Sequence, residues 1–139
     1  MNFRLATQDD IPALSRIRLA VKENTLSDPT LISTAMYEQF LLHKGKGWLC
    51  EIEGETTGFA IAAYPDHSIW ALFVLPEYEG RGIGTQLLNL ATDHLFTQGA
   101  PEIKLSTTPH TRADRFYAQQ GWQRGNEGKE VAYLLKRSI

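Results

Sequence analysis

Three glycines at alternate positions, Gly80, Gly82 and Gly84 in Glu79-Gly80-Arg81-Gly82-Ile83-Gly84, are the residues whose type and spacing point most directly to chemistry. Glycine lets a loop take positive φ and removes the Cβ that would hold a ligand away from the backbone. Beyond Thr85, the apolar residues Leu87, Leu88, Ala91 and Leu95 fall at helical spacing. A loop that opens a helix in this way presents unpaired backbone N–H groups at the positive end of the helix dipole, which is a site for phosphate. A P-loop would need a lysine followed by Ser or Thr at the helix start, and Ile83-Gly84-Thr85 supplies none. A dinucleotide fingerprint would follow the first strand of a parallel βαβ unit with its third glycine near Thr85, whereas this loop lies in mid-chain behind a predicted hairpin. Turn chemistry alone accounts for one or two of the glycines but not for their spacing against a helix start.

The elements that must position this loop are legible in outline. Residues 3–6 read as a strand, and Thr7 with Asp10 three residues on marks a helix start, with Pro12 in its first turn. Ile11, Leu14, Ile17 and Val21 predict an amphipathic first helix, and Asp28-Pro29 interrupts the chain after it. Ser33 can cap a second helix running to about residue 42, with Met36 and Phe40 on one face and Lys44-Gly45-Lys46-Gly47 as the turn that ends it. Residues 48–53 and 57–64 predict a hairpin through Glu53-Gly54-Glu55, and the continuous apolar run 69–75 predicts a central strand covered on both faces. Gly99 and Pro101 stop the helix after the glycine loop. Residues 103–107 make a further strand, 111–120 a short helix ended by Gly121, and 122–136 a terminal strand pair turning near Asn126-Glu127-Gly128.

The run Leu72-Phe73-Val74-Leu75-Pro76-Glu77-Tyr78-Glu79-Gly80-Arg81-Gly82-Ile83-Gly84, followed by an apolar helix, resembles the central motif of the GCN5-related N-acetyltransferase (GNAT) family. Phe116-Tyr117-Ala118-Gln119-Gln120-Gly121-Trp122 resembles that family's helix carrying a tyrosine ahead of a glycine-aromatic pair. The order of elements extends the resemblance over nearly the whole chain. It implies an α/β (α+β) fold, a mixed, mostly antiparallel, splayed sheet flanked by helices, in one domain over residues 1–139. The acyl-CoA site would open where strands 69–75 and 103–107 diverge. The resemblance also implies acetyl-CoA as cosubstrate, with its pyrophosphate on the amides of Gly80, Arg81, Gly82, Ile83, Gly84 and Thr85. Its pantetheine arm would run along Leu72, Phe73 and Val74, and the N–H of Val74 or Phe73 would polarise the thioester carbonyl. By the same resemblance Tyr117 is the general acid for the departing thiolate. His110 stands where the family often has an asparagine that bonds the pantetheine arm, and imidazole can donate the same bond. Glu79 stands where glutamine or arginine is more usual, and its carboxylate would repel a pyrophosphate unless it points away.

Transfer of an acyl group from a thioester to an amine needs a neutral nucleophile, a donor for the oxyanion and a proton for the thiolate. A lysine-like amine is mostly protonated at pH 7, and stripping it costs roughly 4–5 kcal/mol, so some assistance is required. The central strand offers Trp70 and Ser68, with Asp66 and His67 only at its approach, and no base is assigned. Glu23 and Asn24 either border the acceptor pocket or form a solvated helix end, and Trp48, Trp70 and Ser106 either line that pocket or pack. The acceptor is a small-molecule or protein amine, and a non-catalytic acyl-CoA sensor is the alternative class. The 139 residues, 42% hydrophobic and 22% charged, fit one globular unit. A net charge of -2 argues against nucleic acid, and no apolar run is long enough for a bilayer, so the cytoplasm is the expected address. Cys50 reads as core, and His43, His67 and His94 lack metal-ligand spacing, so no metal is expected. The terminal strands could pair across a homodimer if they leave an open edge.

Overall fold

The computed structural model describes residues 1–21 and 33–137. The expected break at Asp28-Pro29 and the pocket expectation for Glu23 and Asn24 lie outside the described residues. Seven strands form one sheet in the order β1-β2-β3-β4-β5-β7-β6: β1 (Asn2–Leu5), β2 (Gly45–Ile52), β3 (Glu55–Ala63), β4 (Ser68–Val74), β5 (Glu102–Thr107), β6 (Gln123–Glu127) and β7 (Val131–Lys136). All neighbours are antiparallel except β4 and β5. The helices are α1 (Ile11–Ala20), α2 (Thr34–Glu38, continued by a π-helical turn Gln39–His43), α3 (Ile83–Thr97) and α4 (Arg112–Gln119). This is the mixed, mostly antiparallel architecture expected, and among the described residues no helix is long and apolar enough to cross a membrane.

Local chemistry explains the starts of the helices. The Asp10 carboxylate accepts from the Thr7 N–H at 2.8 Å, closing the turn that leads into α1, and Arg4 grips the same carboxylate at 2.8 Å. Ser33 caps α2 by accepting from the Met36 N–H at 3.2 Å. The β2–β3 hairpin turns through Glu53 and Gly54, both at positive φ, as a two-residue turn matched to strand twist requires.

The two faces of the sheet bury separate clusters. On one, Leu87, Leu88, Ala91 and Leu95 of α3 pack with Trp48, Cys50, Ala60 and Ala62. On the other, Ile11, Leu14 and Ile17 of α1, with Tyr37 and Leu41, pack with Leu49, Phe59, Ile61 and Phe73. Each fully buried leucine or isoleucine in such a cluster contributes about 1.5–3 kcal/mol, so the α3 stripe alone fixes that helix against the sheet.

Two expectations are corrected. Gly45 and Gly47 belong to β2 rather than to a turn, because a Cβ at Gly45 would collide with the Ala62 carbonyl and lie 2.5 Å from the Phe40 carbonyl oxygen. Gly45 serves the close passage of backbone over backbone, and Gly47 leaves room for the Leu41 side chain. Strand β4 is not covered on both faces either: Ile69, Ala71 and Phe73 are buried, whereas Trp70, Leu72 and Val74 are only half-buried. These half-buried side chains border open clefts.

Candidate active site

The cleft arises from the failure of β4 and β5 to stay together. Their register pairs only Ser68 with Lys104, after which they diverge. The register against β3 also slips between Ile61 and Ala62, which leaves Trp70 as an extra residue and redirects the β4 side chains. Ile69 then joins the α3 cluster while Ala71 and Phe73 join the α1 cluster. The Leu75 N–H donates to the Thr57 carbonyl at 2.9 Å, and Gly58 faces Val74 while Phe59 faces Phe73. In an antiparallel ladder this makes Phe59 and Phe73 the pair that exchanges both hydrogen bonds. The N–H and C=O groups of Leu72 and Val74 therefore point away from β3, into the gap. Phe73 drops out as a backbone donor to the cleft, since its N–H is committed to Phe59.

Past β4, Pro76–Tyr78 forms a 3-10 turn and the chain enters the glycine loop. Gly80 and Gly82 sit at φ +78° and +81°, conformations that disfavour any Cβ, and no heavy atom lies within 4 Å of where a Cβ would project. Gly84 has no such need. Its Cβ position would meet Phe116 at an ordinary 3.5 Å. The first helical hydrogen bond of α3 runs from the Gln86 N–H to the Gly82 carbonyl at 3.1 Å. The amides of Ile83, Gly84 and Thr85 thus precede the helical ladder and face outward at its positive end. With Leu72, Val74, Phe116 and Tyr117, these residues line a cavity of about 470 Å³, within the range of small-ligand sites. Arg81 is not part of that lining, and its guanidinium lies 5.2 Å from the Tyr78 ring centroid. Glu79 is held by Arg112 at 2.9 Å, which offsets the carboxylate charge beside the loop.

Helix α4 brings Tyr117 to the other wall. Its cap, Thr111, accepts from the Asp114 N–H at 3.2 Å. The buried Asp114 carboxylate in turn accepts from Arg124 at 2.9 and 3.0 Å, from the Tyr133 hydroxyl at 2.5 Å and from the His110 N–H at 2.8 Å. Arg124 above all, then Tyr133 and the backbone, holds that carboxyl far below its ordinary range despite burial. This knot ties α4 to β6 and β7. One turn on, Tyr117 is 6% exposed among Phe116, Trp122 and Tyr133, and burial pushes its phenol above its usual pKa, so it stays protonated at neutral pH.

His110 is not brought to the cavity. It sits at φ +63° with its Nε2 2.9 Å from Glu127, largely exposed, because that hydrogen bond draws the ring toward β6. The expected bond from His110 to a pantetheine arm has no support in this geometry.

A second cavity, also about 470 Å³, lies along the β4–β5 divergence and is walled by Arg18, Ser68, Trp70, Ser106, Thr107 and Glu130 among others. Leu72, Phe73 and Tyr117 line both cavities. Of these wall residues Trp70 and Ser106 were legible as candidates. Arg18, Thr107, Glu130 and, at the first cavity, Arg112 carry no sequence signal, because each comes from a separate element and only folding assembles them. Asp114 was findable in principle, as the third residue after a threonine cap.

A family model described as the acetyltransferase (GNAT) family matches residues 12–122. The chain belongs to the GNAT acetyltransferase family. This GNAT acetyltransferase is 33% identical over 105 residues, 66% of its length and 71% of the relative's, to an uncharacterized N-acetyltransferase of Archaeoglobus fulgidus. Its fold is similar to that of the PaiA N-acetyltransferase from Thermoplasma acidophilum in complex with coenzyme A, with TM-score 0.81, 16% identity, and 99% and 100% of the two chains covered. It is likewise similar to the ribosomal-protein-S18-alanine N-acetyltransferase from Escherichia coli, with TM-score 0.77, 19% identity, and coverage of 99% and 94%. At these identities the structural likeness establishes the fold, and the family match establishes the enzyme class.

Proposed function

We propose that this GNAT acetyltransferase moves an acetyl group from acetyl-CoA directly to a primary amine. One observation carries the reading: the glycine-loop cavity and the β4–β5 cavity meet at Leu72, Phe73 and Tyr117, so donor and acceptor can approach one point from opposite sides. The first cavity fits the donor. Outward amides at the α3 start and two loop positions with open space in place of a Cβ suit a pyrophosphate, and the unpaired edge at Leu72 and Val74 suits an amide-bearing arm.

Bound acetyl-CoA supplies the thioester whose C–S bond breaks as the bond from acetyl carbon to acceptor nitrogen forms. The Val74 N–H, fixed by the sheet, stabilises the negative charge on the carbonyl oxygen without reorganisation. Tyr117 gives its proton to sulfur and regains one from solvent. The acceptor nitrogen loses its proton through the second cavity, which is open to water and carries Asp66 and Glu130 on its walls.

Calorimetric titration with acetyl-CoA, CoA, ATP and NAD, followed by thiol release with a panel of amines, tests the reading. Selective binding of acetyl-CoA and CoA, with thiol released in step with acetylated amine, is expected. Preference for ATP or NAD would overturn the donor assignment, and acetyl-CoA binding without turnover on any amine would make the protein an acyl-CoA sensor.

A further inference from the structure

The second cavity has a guanidinium at the end where the two cavities meet. Arg18, in the last turn of α1, lines it with Cζ 5.2 Å from the centroid of the Phe73 ring. Arg4, Arg112 and Arg124 each hold a carboxylate at 2.9 Å or closer. No carboxylate among the described residues lies within ion-pair distance of Arg18. Thr107, a residue 4% exposed, also lines this cavity, and its buried hydroxyl has no hydrogen-bond partner among the described residues, which is uncommon for a buried polar group.

The other charges are arranged around these two groups. Asp66 and Lys104 lie toward the Ser68 end of β4, where Ser68 pairs with Lys104, about 16 Å from Phe73 at strand rise. Glu130 precedes Val131, whose register partner is Thr107, and so lies at the Thr107 end. The wall beside Phe73 is therefore cationic from α1, with a carboxylate arriving from the β6–β7 turn.

We propose that the acceptor is an α-amino acid, with Arg18 taking its carboxylate and its amine held on the side walled by Thr107 and Glu130; this rests on the acetyl-transfer reading above. A planar guanidinium matches a carboxylate with two parallel hydrogen bonds. A polyamine would instead press a second cation against Arg18. The transfer itself is unchanged: nitrogen bonds to the acetyl carbon, the C–S bond breaks, sulfur takes the Tyr117 proton and the amine proton leaves to water.

The test compares each of the twenty amino acids with its amide as acceptor, in the wild type, in Arg18→Gln and in Arg18→Lys. The amide amine is the less basic, so intrinsic reactivity favours it, and a preference for the acid reports recognition. The expected kcat/KM ratio of acid to amide is roughly 10- to 100-fold in the wild type, one or below in R18Q, and intermediate in R18K. Equal or better use of amides or diamines by the wild type, or an unaltered ratio in R18Q, overturns the proposal while leaving acetyl transfer standing. Absence of thiol release with every amine would instead sink the acetyl-transfer reading. Calorimetry with N-acetylglycine and N-acetylglycinamide then reads the site without turnover. Tighter binding of the acid, lost in R18Q, supports the assignment, and equal binding overturns it.

Discussion

Replacing Tyr117 with Phe removes one hydroxyl and leaves the ring packing of α4 intact, so it isolates the proton donor. Without it sulfur must leave as a thiolate. Taking a thiol pKa of about 8.5, departure unprotonated at pH 7.5 costs about 1.4 kcal/mol in water, a factor of roughly ten. The junction is not water: burial drives the Tyr117 phenol upward there, and the same desolvation raises a thiol at that point, each further unit adding roughly tenfold. A loss of about 10²–10³ in kcat is therefore expected, within the usual range for a general acid. The hydroxyl's removal leaves acetyl-CoA affinity and the unfolding midpoint close to wild type. The assay is single-turnover thiol release with a saturating amine, beside calorimetry and denaturant unfolding. Because the phenol pKa is raised, proton donation persists to at least pH 10, so an alkaline fall below that pH belongs to another group. Turnover in Tyr117→Phe within about threefold of wild type would refute the reasoning, since the water value alone demands roughly tenfold.

Three further outcomes follow from the geometry. Gly82→Ala forces a Cβ onto φ +81°, costing about 1 kcal/mol, and also weakens acetyl-CoA binding at least tenfold. Gly99→Ala, at φ +99° beyond the far end of α3, carries a similar stability cost with affinity unchanged, and unfolding curves with calorimetry separate the two effects. Glu79→Gln removes a negative charge beside the loop and frees Arg112 from that carboxylate, so acetyl-CoA affinity rises about threefold at low salt and the gain shrinks at high salt. The Asp10 carboxyl is held down to about 2, chiefly by Arg4. Its folded-state pKa lies below the unfolded value, so its contribution to stability is present above the ordinary carboxylate range and is lost as pH falls from near 4 through about 2. Denaturant midpoints against pH show that loss in the wild type, and Asp10→Asn flattens it.

The sequence by itself determined the order of strands and helices, the glycine loop at a helix start and the tyrosine helix. These are local facts: the α3 apolar stripe repeats at helical period, positive-φ glycines stand where a turn needs them, and Thr7, Ser33 and Thr111 mark helix starts within three residues of their partners. It misread Gly45, which lets β2 pass close to the Phe40 and Ala62 carbonyls, and Gly47, which leaves room for the Leu41 side chain. It placed Phe73 with Leu72 and Val74 as a backbone donor, because nothing local says which amides face β3. Only the tertiary structure decided that, through the ladder register and the divergence of β4 from β5. It likewise turned His110 to Glu127, gave Glu79 its Arg112, and set Arg18, Thr107 and Glu130 around one cavity. Those last three residues lie on α1, β5 and the β6–β7 turn, whose mutual distances are fixed by packing across the sheet, and periodicity along a chain holds no record of which side chains packing will bring face to face.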